Sequence, residues 1–249
     1  MRPALSHIPV PMPTSWQQLP WGEWLLQQVA AGLDPWWPKL FGYHMVKLGP
    51  LATSLNASLS PIRHQLVISA DAGDAYAELE ALPIRCRTVD ACVLPLVLDF
   101  HQDPHQVLRE ADRILVEGGH MVIVSYNPLS PLALGLASPT HRSKPPWNGR
   151  LFTPNRVKDW LGLLGYQVVG EEPLAFSSFL WSPDKFVWPQ QMLHQYLPAS
   201  GSVYMLVARK LAAPLTPAKP LWRPRKRLVV APAALGRGAA KQHRQTKNG

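Results

Sequence analysis

The chain has 249 residues, with 25 Lys and Arg against 16 Asp and Glu, for a formal net charge of +9. The excess lies at one end: residues 210–249 carry ten basic side chains and no acidic ones, so residues 1–209 hold 15 basic and 16 acidic groups, a net of −1. A near-neutral body is no evidence for a nucleic-acid groove, 47% hydrophobic and 16% charged residues exclude global disorder, and two cysteines exclude a disulfide framework or a Cys-rich zinc site.

Residues 1–14 are Pro-rich and are expected to be unstructured. No apolar run precedes Pro9, Pro11 and Pro13, so no signal peptide is expected. Trp16–Gly32 predicts a helix, with Trp24, Leu25, Gln28 and Val29 at helical spacing and Gly32 as its stop. Asp34–Pro38 reads as a rigid connector. Met45–Gly49, Gln65–Ser69 and Val89–Leu98 read as apolar strands, the last with a bend or bulge at Pro95.

Asp103 as N-cap and Pro104 at the first helical position open a helix whose apolar face is Val107, Leu108, Ala111, Ile114 and Leu115. Gly118-Gly119 reads as its stop, and His120–Tyr126 as a buried strand. The same grammar recurs. Thr153 caps, Pro154 opens, Val157, Trp160, Leu161 and Leu164 form the stripe, and Gly165 ends it before a strand at Tyr166–Val169. Residues 170–201 form an irregular insertion carrying Phe176, Phe179, Trp181, Phe186 and Trp188, followed by a last strand at Ser202–Ala208. From Leu211 onward Pro, Ala and basic residues predict a disordered tail. This divides the chain into an N-terminal segment 1–14, a domain 15–210 and a tail 211–249.

Strands alternating with helices of about 12 residues imply βαβ units and a mostly parallel sheet covered on both faces. No run of about 18 apolar residues occurs, so no membrane span is expected. Cys86 and Cys92 read as buried small apolar residues, and the default compartment is a reducing cytoplasm.

Leu82-Pro83-Ile84, Val89-Asp90-Ala91, Asp103-Pro104, Leu108-Arg109-Glu110, Arg113-Ile114-Leu115 and Gly118-Gly119 occur in one order. That order resembles class I S-adenosylmethionine (SAM)-dependent methyltransferases of the type-11 kind, most closely over residues 78–126. The chain also resembles an uncharacterised methyltransferase-like bacterial family. The resemblance implies an α/β Rossmann-like sheet, mostly parallel with an antiparallel last strand and helices on both faces. It also implies SAM as cofactor and a methyl acceptor as substrate.

The family's cofactor sites map onto this chain by position. The resemblance places an acid and three alternating glycines after the first strand. Here that stretch is Val46–Ala52: Leu48 and Gly49 stand at the turn, Lys47 is near the acid's place, and Pro50-Leu51 replaces further glycines. The ribose-binding acid falls at Ser69 or Asp71, and both would equally serve as loop-capping residues. The adenine contact falls at Glu78, with Leu79 stacking on the base; the alternative for Glu78 is a solvated charge run with Glu80. Leu98, Asp99, Phe100 and His101 would line the reaction pocket. His101 is a candidate general base or a polar loop residue. Asn127 would orient substrate or hold its own turn. Glu110 is expected to pair with Arg113 as a structural brace. His101 and His105 flank a helix start and so do not form a metal pair.

Methyl transfer from SAM asks mainly for positioning of the acceptor. The aromatic insertion favours a small apolar or aromatic acceptor. Two other functions are carried. One is a methyltransferase-like binding or regulatory protein without activity, suggested by the altered glycine motif. The other is an RNA-associated methyltransferase whose tail, with Trp222 and Arg223–Arg227, contacts nucleic acid or other anions. A solubilising tail is the plainer account of those residues.

Overall fold

The structure, a computed structural model, describes residues 10–137, 140–181 and 201–212. Phe186, Trp188, residues 1–9 and the tail beyond residue 212 lie outside the described residues. Among the described residues seven strands form one sheet: β1 (His44–Leu48), β2 (His64–Ser69), β3 (Ala75–Tyr76), β4 (Val89–Pro95), β5 (Leu115–Tyr126), β6 (Tyr166–Pro173) and β7 (Val203–Lys210). Their order is β3-β2-β1-β4-β5-β7-β6. The first five pair with one another in parallel, and β7 runs antiparallel to both β5 and β6.

Period-2 alternation along these strands builds two cores. Val46, Leu48, Cys92, Leu94, Met121, Ile123, Leu206 and Ala208 point to one face. There they meet Val107, Leu108, Ala111 and Ile114 of α3 (Pro104–Ile114), and Val157 and Leu161 of α4 (Pro154–Leu163). Met45, Ala91, Val93, Val122, Val124, Met205 and Val207 point to the other face, against Leu25, Val29 and Leu33 of α1 (Gly22–Leu33). Both caps read from the sequence form: Asp103 accepts from the Gln106 N–H at 3.0 Å, and Thr153 from the Arg156 N–H at 3.4 Å.

Several expected boundaries shift, each for a tertiary reason. The helix expected over Trp16–Gly32 splits into a 3-10 turn at Trp16–Gln18 and α1. The Trp16 indole is buried and donates to the Leu51 carbonyl at 2.9 Å. Its own carbonyl leaves no room for a Cβ at Gly22, so the chain turns at Trp21 with φ 55°. The strand expected to reach Leu98 ends at Pro95. Leu96 adopts φ 55°, and Val97–Phe100 forms a single helical turn, α2. The pairing irregularity falls at Val89/Ala91 rather than at Pro95. Gly118-Gly119 lies inside β5, because α3 already ends at Ile114. Cys86 is exposed, whereas Cys92 is buried.

One departure bears on function. Between β1 and β2 the chain forms only a 3-10 turn at Pro50–Ser54 and irregular backbone, with no α-helix. Leu51, Leu55, Ala57 and Ile62 of this stretch are buried in the α1-side core.

Candidate cofactor cleft and its supports

The sheet order reverses between β1 and β4, since β1 lies between β2 and β4. Open α/β sheets bind ligands beyond the carboxyl ends of the strands at such a switch point. A cleft of ≈ 320 Å³ opens there, lined by Pro50, Asp71, Glu78, Leu79, Phe100 and His101, with Val10 and Met12 supplying a further wall. Five residues named from the sequence thus meet in one place. Leu48, Ser69 and Leu98 are fully buried nearby. Asn127 lies in a different cleft, of ≈ 410 Å³, beside Thr153, Glu171 and Tyr204.

The turn after β1 is built on Gly49, whose φ of 90° and ψ of 160° no other residue adopts without strain. Its N–H donates to the Ile68 carbonyl at 2.8 Å. Pro50 follows with no N–H to offer, and Leu51 and Ala52 turn into the core. Lys47, near the place where the resemblance puts an acid, is buried and donates from Nζ to the Leu55 carbonyl at 3.1 Å. Burial lowers its pKa, and the charge of Asp74 partly opposes this. Lys47 therefore braces the 50–55 turn from below.

The turn after β2 is organised by Ser69. Its Oγ accepts from the Asp71 and Ala72 N–H groups at 3.2 and 3.0 Å and donates to the Ala72 carbonyl at 2.7 Å. This sets Asp71 exposed at the cleft rim. Glu78 is likewise exposed, while Leu79 beside it is buried and forms an apolar wall. The segment carrying them is anchored at Leu82. Its N–H donates to Glu110 at 3.2 Å, and its carbonyl accepts from Arg113 at 2.9 Å. Arg113 also holds the Ile84 carbonyl and pairs with Glu110 at 2.9 Å, the brace expected from the sequence. That pairing holds the Glu110 carboxyl below its usual range.

His101 is mostly buried and stands 3.7 Å from Glu80. Its Nδ1 accepts from the Asp103 N–H at 3.2 Å. With Nδ1 accepting, the neutral ring carries its proton on Nε2 and acts as a donor there.

Asp99 is the polar centre beneath the cleft. It is fully buried on α2, and its carboxylate accepts from Ser125 Oγ at 2.8 Å and the Tyr126 N–H at 3.2 Å. Burial nevertheless pushes its pKa well above the ordinary carboxylate range. These bonds tie α2, and with it Phe100 and His101, to the end of β5. The sequence named Asp99 only as a neighbour of the pocket; an acid inside the apolar run Val97-Leu98-Asp99-Phe100 was the signal of a buried anchor. Val10 and Met12 were missed because they sit among prolines. Asn127 likewise serves its turn, donating to the Gly201 carbonyl and accepting from the Leu129 N–H, both at 3.0 Å.

Among the described residues no group of three or more His, Cys, Asp or Glu could hold a metal ion, and no helix is long and apolar enough to cross a membrane.

A family model described as a methyltransferase domain matches residues 53–123, a span that starts just after the Gly49 turn. The uncharacterised protein YafS of Escherichia coli is 34% identical over 218 residues, which is 87% of this chain and 88% of YafS. The chain belongs to the same family as YafS, and within it residues 53–123 match the methyltransferase domain. Solved structures share the fold at low identity. A chain of the complex between the Haloferax volcanii Trm112 methyltransferase activator and a methyltransferase aligns with TM-score 0.56 and 16% identity, covering 77% of this chain and 92% of that one. A SAM-dependent methyltransferase from Mesorhizobium loti aligns with TM-score 0.51 and 16% identity, covering 74% of this chain and all of that one.

Proposed function

We propose that the protein is a SAM-dependent methyltransferase acting on a small molecule with an apolar or aromatic body, and that the cofactor binds in the ≈ 320 Å³ cleft at the β1/β4 switch point. The observation that carries this reading is the convergence of Asp71, Glu78, Leu79, Phe100 and His101 on one cleft at the strand ends. Two exposed carboxylates beside a buried leucine suit a nucleoside. Asp71 accepts from ribose hydroxyls, Glu78 accepts from the base amine, and Leu79 packs on the base. When bound, SAM supplies an electrophilic methyl group, so the protein's part is to hold the acceptor in line and keep water away. Phe100 and His101 on and after α2 form the acceptor-side wall, with Nε2–H of His101 as a donor. Of the described aromatic residues of the insertion, Phe176 and Phe179 are buried and Trp181 is exposed. Free Cys86 at the surface suits a reducing cytoplasm.

One observation favours a second reading, a family member that binds without transferring. The stretch after Gly49 offers no flexible turn: Pro50 has no N–H and Leu51 and Ala52 are packed in the core. Calorimetric titration with S-adenosylhomocysteine (SAH) tests the first claim, and label transfer from methyl-labelled SAM to a small-molecule extract tests the second. Binding that weakens in Asp71→Ala and Glu78→Ala by about tenfold each supports the cleft assignment. A folded sample that ignores millimolar SAH sinks the cofactor reading. Binding without any transfer leaves the non-catalytic reading. The tail lies outside the described residues.

A further inference from the structure

Strands β1 and β2 each begin on a histidine, His44 and His64, at the amino-terminal edge of the sheet. The two residues pair in register on the parallel ladder. Both are exposed, and their Nδ1 atoms stand 3.1 Å apart. From this pair we infer a binding site for one divalent transition-metal ion of the zinc class, chelated by His44 Nδ1 and His64 Nδ1. The site lies at the opposite end of β1 from the cofactor cleft, about 13 Å along the strand, and it stands independently of the methyltransferase reading.

Three observations support it. First, the fold brings the rings together, not a chance rotamer. Period-2 alternation puts His44 on the face of Val46 and Leu48, and His64 on the face of Leu66 and Ile68, which is one side of the sheet. In-register neighbours on parallel strands lie about 4.8 Å apart, so the two imidazoles are held side by side. The backbone under His44 is fixed further, because Asp90 Oδ2 accepts from the Tyr43 and His44 N–H groups at 2.8 and 2.9 Å. Second, the spacing fits an ion. Zinc bonds imidazole nitrogen at about 2.0–2.1 Å. Two nitrogens 3.1 Å apart then subtend about 98° at the ion, between the octahedral and tetrahedral angles. The rings stand at 87° with centroids 4.8 Å apart. Each needs only a turn about χ2, a soft torsion for histidine, to aim its lone pair at that point.

Third, the contact between the rings is a poor use of two histidines. A neutral imidazole has one donor and one acceptor nitrogen, so the pair alone makes a single N–H···N contact. Water competes for that contact at an exposed position, and its net worth is small. An ion takes both Nδ1 lone pairs at once, while each ring keeps its proton on Nε2. Imidazole nitrogen suits zinc, copper and nickel, whereas magnesium and calcium seek oxygen ligands. Two imidazoles leave the remaining coordination positions to water, so the ion exchanges readily. Bound there, it clips β1 to β2 at the edge of the sheet and favours the folded chain.

The test is calorimetric titration of the full chain, stripped with EDTA and desalted, with zinc chloride and with magnesium chloride. Zinc is expected to bind and to raise the melting temperature, and magnesium to do neither. His44→Gln and His64→Gln are each expected to weaken zinc binding at least about tenfold, since loss of even an outer-shell partner of a metal ligand costs about 10–100-fold. The melting temperature of the metal-free variants is expected to hold, because both positions are exposed. Copper(II) gives a second readout: its electron paramagnetic resonance spectrum is expected to show two nitrogen ligands in the original chain and one in each variant. Should a variant fail to fold, the copper spectrum of the original chain decides. Absence of zinc binding, equal binding of magnesium, unaltered zinc binding in both variants, or a copper spectrum without two nitrogens overturns the inference. None of these readouts uses SAM or SAH, so failure of the methyltransferase reading leaves them untouched.

Discussion

Gly49→Ala is the sharpest probe of how this chain shapes the end of β1. Gly49 sits at φ 90° and ψ 160°, a region almost confined to glycine, and holding another residue there costs about 1–3 kcal/mol. The side chain would also collide: a Cβ built on Gly49 lies 2.8 Å from Val97 Cγ2. Val97 is buried on α2 and has little room to move, so overpacking adds about 1–3 kcal/mol. The expected loss is therefore roughly 2–6 kcal/mol, at about 2–4 °C of melting temperature per kcal/mol for a domain of this size. Urea unfolding followed by tryptophan fluorescence measures it. Gly49→Ala combined with Val97→Ala separates the two causes, because the second change removes the collision and leaves the backbone strain. A coupling of about 1 kcal/mol or more in that cycle assigns the packing share. A Gly49→Ala protein within about 0.5 kcal/mol of the original would refute the reasoning, since it would mean that the turn relaxes freely.

Two further changes test the buried charges. Asp99→Asn removes the ionisable group: its Oδ1 accepts from the Tyr126 N–H as Asp99 does, and the Ser125 hydroxyl, which donates to Asp99, rotates to accept from the new amide. Burial raises the folded-state pKa of Asp99, so the folded chain holds a proton that the unfolded chain sheds above pH ~4, and stability declines from there toward the folded-state value. Asp99→Asn should match the original near pH ~4 and exceed it increasingly toward neutrality, by about 1.4 kcal/mol per unit of elevation; parallel pH–stability curves would count against this. Lys47→Met removes the donor to the Leu55 carbonyl and should cost about 1–3 kcal/mol. Its lowered folded-state pKa means that the folded chain sheds a proton the unfolded chain keeps. The original protein therefore gains stability as pH rises toward about 10, and Lys47→Met should lack that rise. An unchanged alkaline limb in chemical denaturation would contradict it.

The α3 and α4 helices were legible because their signals are local. Asp103 and Thr153 each find their partner three residues on. The strands were legible from their apolar runs, apart from the two-residue β3, which is too short to show a period. What was hidden depended on distant partners. The break at Trp21 follows from Trp16 reaching Leu51, 35 residues away. The end of β4 follows from Leu96 donating to Val124. In the cleft, the acids Asp71 and Glu78 could be named only from the positions that the family resemblance gives them. The role of Lys47 could not, because its acceptor at Leu55 is set by how the 50–55 turn folds back.

The replacement of the glycine turn has a consequence for the division of labour at the site. A cofactor's carboxylate end is usually met by backbone N–H groups of a flexible turn. Here the Gly49 N–H is engaged by Ile68, Pro50 has none, and Lys47, the nearby cation, is turned down toward Leu55. The polar residues that line the cleft are Asp71, Glu78, Glu80, His101 and Gln102, beside the apolar Pro50, Leu79 and Phe100. On the proposed function Asp71, Glu78 and Leu79 meet hydroxyls, an amine and an apolar ring, and affinity comes chiefly from the nucleoside half. The N-terminal residues Val10 and Met12 wall the same cleft. The core-packed turn then acts as a rigid floor that fixes the Phe100 side of the cleft through Val97. That rigidity suits a transfer in which the protein contributes geometry and the cofactor contributes the reactive group.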